Sequence, residues 1–313
     1  MVRHGDYALL DCGDGRRLER FGALVLDRPA PGATGPRRAP DRWSVATLYR
    51  AGAGWRGSDG GPPPDEPQVV TIAGVAMEVR PAASGAVGLF PEHAANADWL
   101  ARAVGSRVAR GADAARQPPE VLNLFAYTGL ASLVAARAGA SVVHVDASRP
   151  SVGWARRNAE QSGLADRPIR WIVDEAITFV RREARRGRRY AGLILDPPSY
   201  GHGARTGGGA RSAAGARTGS VARSAAGARA GRTEAATTWR FDERIDELLD
   251  ACAAVAGPDA FWLLTAHTPG WDPSRLAATL GVATDAPAAE IEAVELRLAA
   301  ESGAVLRVGA AAR

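Results

Sequence analysis

From residue 119 onward, short apolar runs alternate with stretches of helical periodicity. The apolar runs predict strands at 121–126, 141–147, 169–174, 191–195 and 260–266. The intervening and following stretches predict helices at 130–138, 152–162, 176–186, 244–255 and 274–280. Such alternation, with strands that are apolar throughout, indicates a parallel α/β sheet covered by helices on both faces. Two further runs, 291–298 and 305–309, flank a Glu-Ser-Gly turn and predict a final antiparallel hairpin.

The first 84 residues follow a different pattern, which is typical of a small β-rich accessory region. Two pairs of short apolar runs, each pair separated by a glycine-containing turn, predict two hairpins. The pairs are 7–11 with 17–26, and 69–72 with 75–79. Between them, residues 29–66 are rich in Pro, Gly and Arg, and we expect an irregular, partly ordered segment. The predicted domains are therefore 1–84 and 85–313.

Length and composition place the chain among soluble globular proteins. It has 313 residues, of which 46% are hydrophobic, and this is enough to bury a substantial core. No apolar run approaches the roughly 20 residues of a membrane span, and residues 1–6 contain no apolar signal region. Two cysteines, Cys12 and Cys252, exclude a disulfide framework and a Cys-rich zinc site. We therefore expect a cytoplasmic protein with no membrane partner.

The positive charge is concentrated in one repeat. All 39 basic residues are Arg, and the segment 204–236 holds six of them against one acid, which accounts for the whole net charge of +5. The repeat has almost no large apolar side chain, so we expect a disordered insert. It has two interpretations: a basic tether for nucleic acid phosphates, or a neutral codon-repeat expansion in a tolerant loop. The high isoelectric point is therefore only modest support for nucleic acid binding.

Ligands of parallel α/β sheets bind outside the carboxyl ends of the strands, so the residues that follow each strand are candidates. The first strand leads into Asn123-Leu-Phe-Ala-Tyr-Thr-Gly129, whose glycine lets the backbone approach a ligand. Asp146 ends the second strand, 17 residues after Gly129, where an acid can accept both hydroxyls of a ribose. The alternative is a capping role, because Asp146 and Ser148 precede a helix.

Two more strand ends carry candidate chemistry. Asp174 and Glu175 follow the third strand, where an acid can reach the exocyclic amine of an adenine, or can cap the next helix instead. The fourth strand ends in Asp196-Pro197-Pro198-Ser199-Tyr200, whose prolines build a rigid bend. This bend presents a carboxylate, carbonyls and an aromatic ring that suit an amine on a planar base.

Together these residues resemble a class I S-adenosylmethionine (SAM) dependent methyltransferase, and more narrowly the bacterial family of large-subunit (23S) ribosomal RNA methyltransferases. The resemblance lies in VLNLFAYTGLAS, VVHVDASRPSVGWARRNAEQSGL, IRWIVDEAITFVRRE and LILDPPSYGHG, and it extends upstream into residues 88–99. It implies a Rossmann-like fold with a seven-stranded, mostly parallel sheet and a C-terminal antiparallel hairpin. It also implies SAM as cofactor and RNA, specifically ribosomal RNA, as partner.

The resemblance implies a role for each matching residue. Phe90 and Pro91 close the site from above, Asp146 holds the ribose, and Asp174 with Glu175 faces the adenine. The methionine part of SAM lies against Phe125, Ala126, Tyr127, Thr128 and Gly129. Asn123 and Ala147 also belong to the cofactor site. The methyl group meets its acceptor at Asp196, Pro197, Pro198 and Tyr200.

The absence of cysteine from two strand ends indicates the chemistry of the methyl acceptor. Methylation of cytosine at C5 needs a Cys thiolate, and neither the fourth nor the fifth strand end contains Cys, so we expect a nitrogen acceptor. The five histidines look scattered, methyl transfer requires no metal, and we expect none. We expect His144 and Cys252 to be core residues. His202 and His267 follow the fourth and fifth strands, at the predicted edge of the active site. Ser199 makes this motif one residue longer than the four-residue motif of amino methyltransferases, which weakens the stacking role of Tyr200.

Two other functions stay open at this point. The same fold methylates proteins and small molecules, and a SAM-type fold can also serve as a non-catalytic RNA-binding protein. A dehydrogenase is disfavoured because the chain lacks the Gly-x-Gly-x-x-Gly fingerprint after its first strand.

Overall fold

The structure is a computed structural model that describes residues 6–110, 117–201 and 239–313. The Arg-rich repeat at 204–236 and His202 lie outside the described residues.

The N-terminal region forms a five-stranded sheet with the order β1-β2-β3-β4-β5. Its strands are β1 Tyr7–Gly13, β2 Arg16–Phe21, β3 Leu24–Pro29, β4 Thr47–Arg50 and β5 Gly54–Arg56. The first predicted hairpin is confirmed, and its turn places Asp14 and Gly15 at positive φ. The predicted run 17–26 is in fact two strands, since Gly22 also takes a positive φ and reverses the chain.

The segment 29–66 holds more regular structure than its composition predicts. It contains a 3₁₀ helix, Pro40–Val45, followed by β4 and β5. The ring of Trp43 is buried against the sheet, and its indole nitrogen donates to Asp11. The second predicted hairpin is confirmed as β6 Gln68–Ile72 and β7 Val75–Val79.

The C-terminal region carries the predicted alternation of strands and helices. The helices are α1 Ala97–Arg110, α2 Leu130–Arg137, α3 Arg149–Gln161, α4 Ala176–Arg185, α5 Phe241–Ala253 and α6 Pro273–Thr284. The strands are β8 Glu120–Leu124, β9 Ser141–Asp146, β10 Ile169–Val173, β11 Tyr190–Leu195, β12 Tyr200–Gly201, β13 Trp239–Arg240, β14 Ala256–Ala266, β15 Ala293–Ala299 and β16 Val305–Ala312. Only α1 and the two-residue strands β12 and β13 had no counterpart in the apolar pattern.

The large sheet has seven strands in the order β10-β9-β8-β11-β14-β16-β15. Strands β10, β9, β8, β11 and β14 run parallel, and β16 pairs antiparallel with both β14 and β15. The expected seven-stranded, mostly parallel sheet with a C-terminal antiparallel hairpin is therefore confirmed. The strand order reverses between β8 and β11, and this switch point is where ligands of such sheets bind.

Contacts between the two regions make the N-terminal sheet part of the same body. The turn between β15 and β16 reaches β1, where Glu301 N and Ser302 N donate to Leu9 O and Leu10 O. One apolar core runs through both regions, from the N-terminal strands to the strands and helices of the large sheet. Among the described residues, no helix combines the length and apolar character needed to cross a bilayer.

Candidate active site

A cavity of about 1130 Å³ lies at the carboxyl ends of the parallel strands. This exceeds the roughly 300–1,000 Å³ of most ligand pockets, so there is room for a cofactor and an acceptor together. One wall is formed by residues that follow β9, β10, β11 and β14. Arg17 and residues 29–32 of the N-terminal region also line the cavity, so the accessory region helps to enclose the site.

The turn after β8 has an unusual backbone. Phe125 and Tyr127 take positive φ values of 54° and 48°, and Gly129 follows at 95° before α2 begins. Positive φ in bulky residues costs about 1–3 kcal/mol each and is characteristic of functional sites. The turn is held in place by Tyr127, whose amide donates to Asp146 Oδ2 at 2.8 Å and whose hydroxyl accepts from Gly88 N at 3.1 Å.

Asp146 lies at the cavity with its carboxylate partly exposed. Oδ1 accepts from Ser148 N and Oδ2 from Tyr127 N, both at 2.8 Å, so each oxygen keeps a second lone pair. Burial raises the pKa of Asp146. The N-cap of α3 is Ser148, whose hydroxyl accepts a hydrogen bond from Ser151 N. Asp146 is therefore not the helix cap, and its free lone pairs fit the two hydroxyls of a ribose.

Asp174 and Glu175 also line the cavity, but they have different partners. Glu175 is the N-cap of α4, and its Oε2 accepts from Thr178 N at 2.7 Å. The capping alternative therefore holds for Glu175. Asp174 Oδ2 lies 2.6 Å from Arg182 Nη2, and Oδ1 accepts from the amide of Glu175.

The Asp-Pro-Pro bend after β11 is braced from two sides. Trp239, which is buried in β13, donates from its indole nitrogen to Pro198 O at 2.6 Å and packs its ring against Phe125 at 4.9 Å. Ser199 O accepts from Phe241 N at 3.2 Å. Trp239 also lines the cavity, although the sequence pattern did not single it out. These contacts fix the position of Asp196.

Asp196 lies between two imidazoles. His93 Nε2 is 3.0 Å from Oδ2, and His267 Nε2 is 3.3 Å from Oδ1, while the hydroxyl of Thr265 also donates to Oδ1. Burial favours protonation of Asp196, but the imidazoles outweigh burial and hold its pKa well below the usual range. Burial alone would lower the pKa of His267, but the adjacent Asp196 carboxylate raises it to about 9.

His93 and His267 show that the histidines are not all scattered, and that sequence interpretation was wrong for these two. Their ring centroids lie 5.2 Å apart. His93 belongs to the 3₁₀ helix Pro91–Asn96, and His267 directly follows β14, as expected for the active-site edge. His144 is fully buried and contacts Ser132 Oγ through Nδ1, so its assignment to the core is confirmed.

A second charged group borders the cavity from the N-terminal side. Glu19 is fully buried in β2, and it pairs with Arg28 at 2.5 Å and with Arg17 at 3.3 Å. Burial favours protonation of Glu19, but the two guanidinium groups outweigh it and lower the pKa of the carboxyl.

Glu92, beside His93, is only 5% exposed, and its Oε2 has no hydrogen-bond partner among the described residues.

Two predicted site residues, Pro91 and Tyr200, lie away from the cavity. Pro91 is buried in the 3₁₀ helix. Asn123 is buried, donates to Ser132 Oγ at 2.9 Å, and lines only a small adjoining cavity under the β8 turn. Tyr200 is 57% exposed, and its ring faces the guanidinium of Arg240 rather than the cavity. The remaining predicted residues border this cavity or a small adjoining one under the β8 turn, with Pro197 in the bend between them. Those residues are Phe90, Phe125, Ala126, Tyr127, Thr128, Gly129, Asp146, Ala147, Asp174, Glu175, Asp196 and Pro198.

The sheet order, the C-terminal hairpin and acids at the ends of β9, β10 and β11 define the class I methyltransferase fold. A solved SAM-dependent methyltransferase from Agrobacterium tumefaciens superimposes with a TM-score of 0.76 and 31% identity, over 98% of this chain and 89% of that one. The chain therefore belongs to the SAM-dependent methyltransferases, whose cofactor is SAM. No protein-family model matches the chain.

Two curated relatives match a shorter segment. The ribosomal RNA large subunit methyltransferase K/L of Methylococcus capsulatus is 39% identical over 88 residues, which is 28% of this chain and 12% of that protein. The ribosomal RNA large subunit methyltransferase I of Photobacterium profundum is 38% identical over 81 residues, which is 26% of this chain and 20% of that protein. This chain therefore matches only a small part of either relative.

Proposed function

We propose that this protein transfers a methyl group from SAM to a nitrogen atom of a base in RNA, and specifically in ribosomal RNA. The observation that carries the proposal is the ionised Asp196 on its braced bend, in a cavity large enough for a cofactor and a base. The choice of ribosomal RNA rests on the two curated relatives, both of which are named as methyltransferases of that substrate.

The residues around the cavity fit the cofactor. When bound, SAM would supply a methyl group on a positively charged sulfur, and this sulfur would leave as a neutral thioether. Asp146 would hold the ribose hydroxyls through its two free lone pairs, and Asp174 would lie beside the adenine. Phe125 and Tyr127 in the strained β8 turn would lie against the methionine part.

On the acceptor side, this chain positions the nucleophile and excludes water rather than forming a covalent intermediate. Asp196 has one side of Oδ2 free to accept a hydrogen bond from an exocyclic or ring N–H. Trp239 and Phe125 offer ring surface next to it. Tyr200 is exposed beside Arg240, where it would contact RNA outside the cavity.

The positions of both cysteines support a nitrogen acceptor. Cys252 is fully buried in α5, and burial raises the pKa of its thiol. Cys12 is buried in β1, where burial also raises its pKa. Neither thiol borders the cavity, so neither is placed to attack C6 of a pyrimidine, which C5 methylation requires.

The test is transfer of radiolabelled methyl from SAM into ribosomal RNA from a strain that lacks this gene. We expect label to enter the RNA with the wild-type protein and to fall by about 100-fold or more with Asp196→Ala. Asp166→Asn, which removes an exposed carboxylate, is the matched control and should retain activity. Digestion to nucleosides then identifies the methylated atom.

Two results would overturn the proposal. Label in 5-methylcytosine would contradict the nitrogen acceptor. SAM binding without any label in RNA would contradict the RNA substrate and favour a protein or small-molecule acceptor on the same fold.

A further inference from the structure

The geometry points to a binding site for a divalent transition-metal ion at His93, Asp196 and His267, inside the active-site cavity. These side chains come from three separate segments: the 3₁₀ helix before α1, the bend after β11, and the end of β14. They offer two imidazole nitrogens and one carboxylate oxygen, with all three ligand atoms within 4.8 Å of one another. This is the ligand set of a two-histidine, one-carboxylate site.

The distances between the ligand atoms suit an ion. Ions such as Zn²⁺ bind nitrogen and carboxylate oxygen at about 2.0–2.2 Å, which places neighbouring ligand atoms roughly 3.0–3.5 Å apart. His93 Nε2 lies 3.0 Å from Asp196 Oδ2 and His267 Nε2 lies 3.3 Å from Oδ1, and one ligand atom from each of the three residues lies within 4.8 Å of the others. Side-chain movements on the order of 1 Å would bring the three ligand atoms to the distances of an ion site.

The ring orientation of His267 provides the second argument. Its Nδ1 lies 2.7 Å from Val308 O, and because a carbonyl only accepts, Nδ1 must carry the hydrogen. Nε2, which lies 3.3 Å from Asp196 Oδ1, is then the ring nitrogen that an ion would bind, and the ion would displace its proton. A backbone carbonyl on the distal nitrogen is also the usual support of a metal-binding histidine.

Both imidazoles are directed at the same carboxylate. His93 Nε2 and His267 Nε2 are buried and ion-paired with Asp196, at distances of 3.0 Å and 3.3 Å. Each Nε2 therefore has the carboxylate as its neighbour on the cavity side. An ion bound there would take both nitrogens and the carboxylate as common ligands.

The site is closed toward the protein and open toward the cavity. Thr265 donates its hydroxyl to Asp196 and thereby fixes the carboxylate from behind. All three ligands line the cavity, so the remaining coordination positions face the space of the acceptor. An ion held here would bind an oxygen or nitrogen atom of the methyl acceptor and orient it, as ions with three protein ligands and open positions do.

This inference goes beyond the proposed function and does not depend on RNA being the substrate. An ion and an acceptor N–H would use different lone pairs of the Asp196 carboxylate. Binding of the metal alone is measured without SAM and without RNA. Failure of this inference is therefore distinguishable from failure of the proposed function.

The experiment uses the full chain without an affinity tag, stripped by a chelator and dialysed. Zn²⁺ binding is measured by calorimetry, and Co²⁺ binding by the visible absorption that protein ligands induce. We expect one ion per chain, and each of His93→Gln and His267→Gln should weaken binding by more than about 100-fold. Asp272→Asn removes another cavity carboxylate but keeps a helix cap, and it should change affinity by less than about twofold.

Thermal melts and SAM binding establish that each variant is folded. Stoichiometric Zn²⁺ binding that both histidine variants lose, and that Asp272→Asn retains, supports the site. Absence of stoichiometric binding of Zn²⁺, Co²⁺ or Fe²⁺ to the wild-type chain overturns it. Binding that persists in both folded histidine variants overturns it equally.

Discussion

Asp146 offers a test of the proposed SAM site at a single residue. Each of its carboxylate oxygens already accepts one backbone hydrogen bond and keeps one lone pair toward the cavity. Hydrogen bonds to a charged group contribute about 1.5–3 kcal/mol, so Asp146→Asn should weaken SAM binding by roughly 10- to 100-fold. Calorimetric titration with SAM measures this. Ser148→Ala, which removes only the cap of α3, should lower stability by about 1 kcal/mol and leave SAM affinity unchanged. If Asp146→Asn binds SAM as tightly as wild type, Asp146 does not hold the ribose.

The cysteines test the acceptor chemistry at the same scale. Both thiols are buried away from the cavity, so the double variant Cys12→Ala, Cys252→Ala should retain methyl transfer within about twofold. It should also lose about 1 kcal/mol of stability per site because small voids remain. The radiolabel assay and a denaturant melt measure the two effects. A loss of activity as large as that of Asp196→Ala, in a folded double variant, would restore a cysteine mechanism.

Residue positions in the site differ in how far the sequence predicts them. Asp146, Asp174 and Asp196 were predictable because each directly follows an apolar strand, and parallel strands bring their carboxyl ends to one edge. Trp239 and Glu92 were not singled out, because they reach the cavity through tertiary contacts between distant segments. His93 carried one usable signal: it lies within residues 88–99, the stretch that the family resemblance already placed above the site.

At the scale of elements, the segment before α1 depends on one glycine. Gly88 has a φ of 87°, and a Cβ there would meet the Trp154 ring at 2.1 Å. Gly88→Ala should therefore lower the free energy of unfolding by at least about 2 kcal/mol. Gly153→Ala is the matched control: this position is in α3 with open space around it, and alanine should add about 0.5–1 kcal/mol. Denaturant unfolding measures the free energy of unfolding of both variants. If Gly88→Ala is as stable as wild type, the proposed requirement for glycine at this position is wrong.

The elements themselves were predictable where local signals and tertiary structure agree. Strands β8, β9 and β11 are buried on both faces, so apolar runs identify them, and the helices after them end near glycines or begin at caps. Strands β4 and β5 have only four and three residues in a Pro- and Gly-rich stretch. Their pairing depends on β3 and on the buried Trp43 nearby, and no local pattern encodes such contacts.

At the scale of the whole molecule, Asp11 joins the two regions. It lies in β1, is fully buried, and accepts hydrogen bonds from Ser302 Oγ at 2.7 Å, Trp43 Nε1 at 3.0 Å and Ala39 N at 2.9 Å. Ser302 belongs to the turn between β15 and β16, so one carboxylate connects the N-terminal sheet to the C-terminal hairpin. Burial favours protonation of Asp11, but these hydrogen bonds outweigh burial and lower its pKa.

A lowered pKa in the folded state makes this connection dependent on pH. The stability that ionised Asp11 contributes is fully present above the pKa of an unfolded aspartate, about 3.9, and is lost as the pH falls through the lower folded value. Wild type should therefore exceed Asp11→Asn by about 1.5–3 kcal/mol at pH 7 and pH 5, and the difference should shrink below about pH 4. Denaturant unfolding of both proteins from pH 7 to pH 3 measures this difference. Asp166 is exposed, so the free energy of unfolding of Asp166→Asn should differ from that of wild type by close to zero at every pH. A difference for Asp11 that is constant down to pH 3, or grows, would mean that the carboxylate does not stabilise the junction between the two regions.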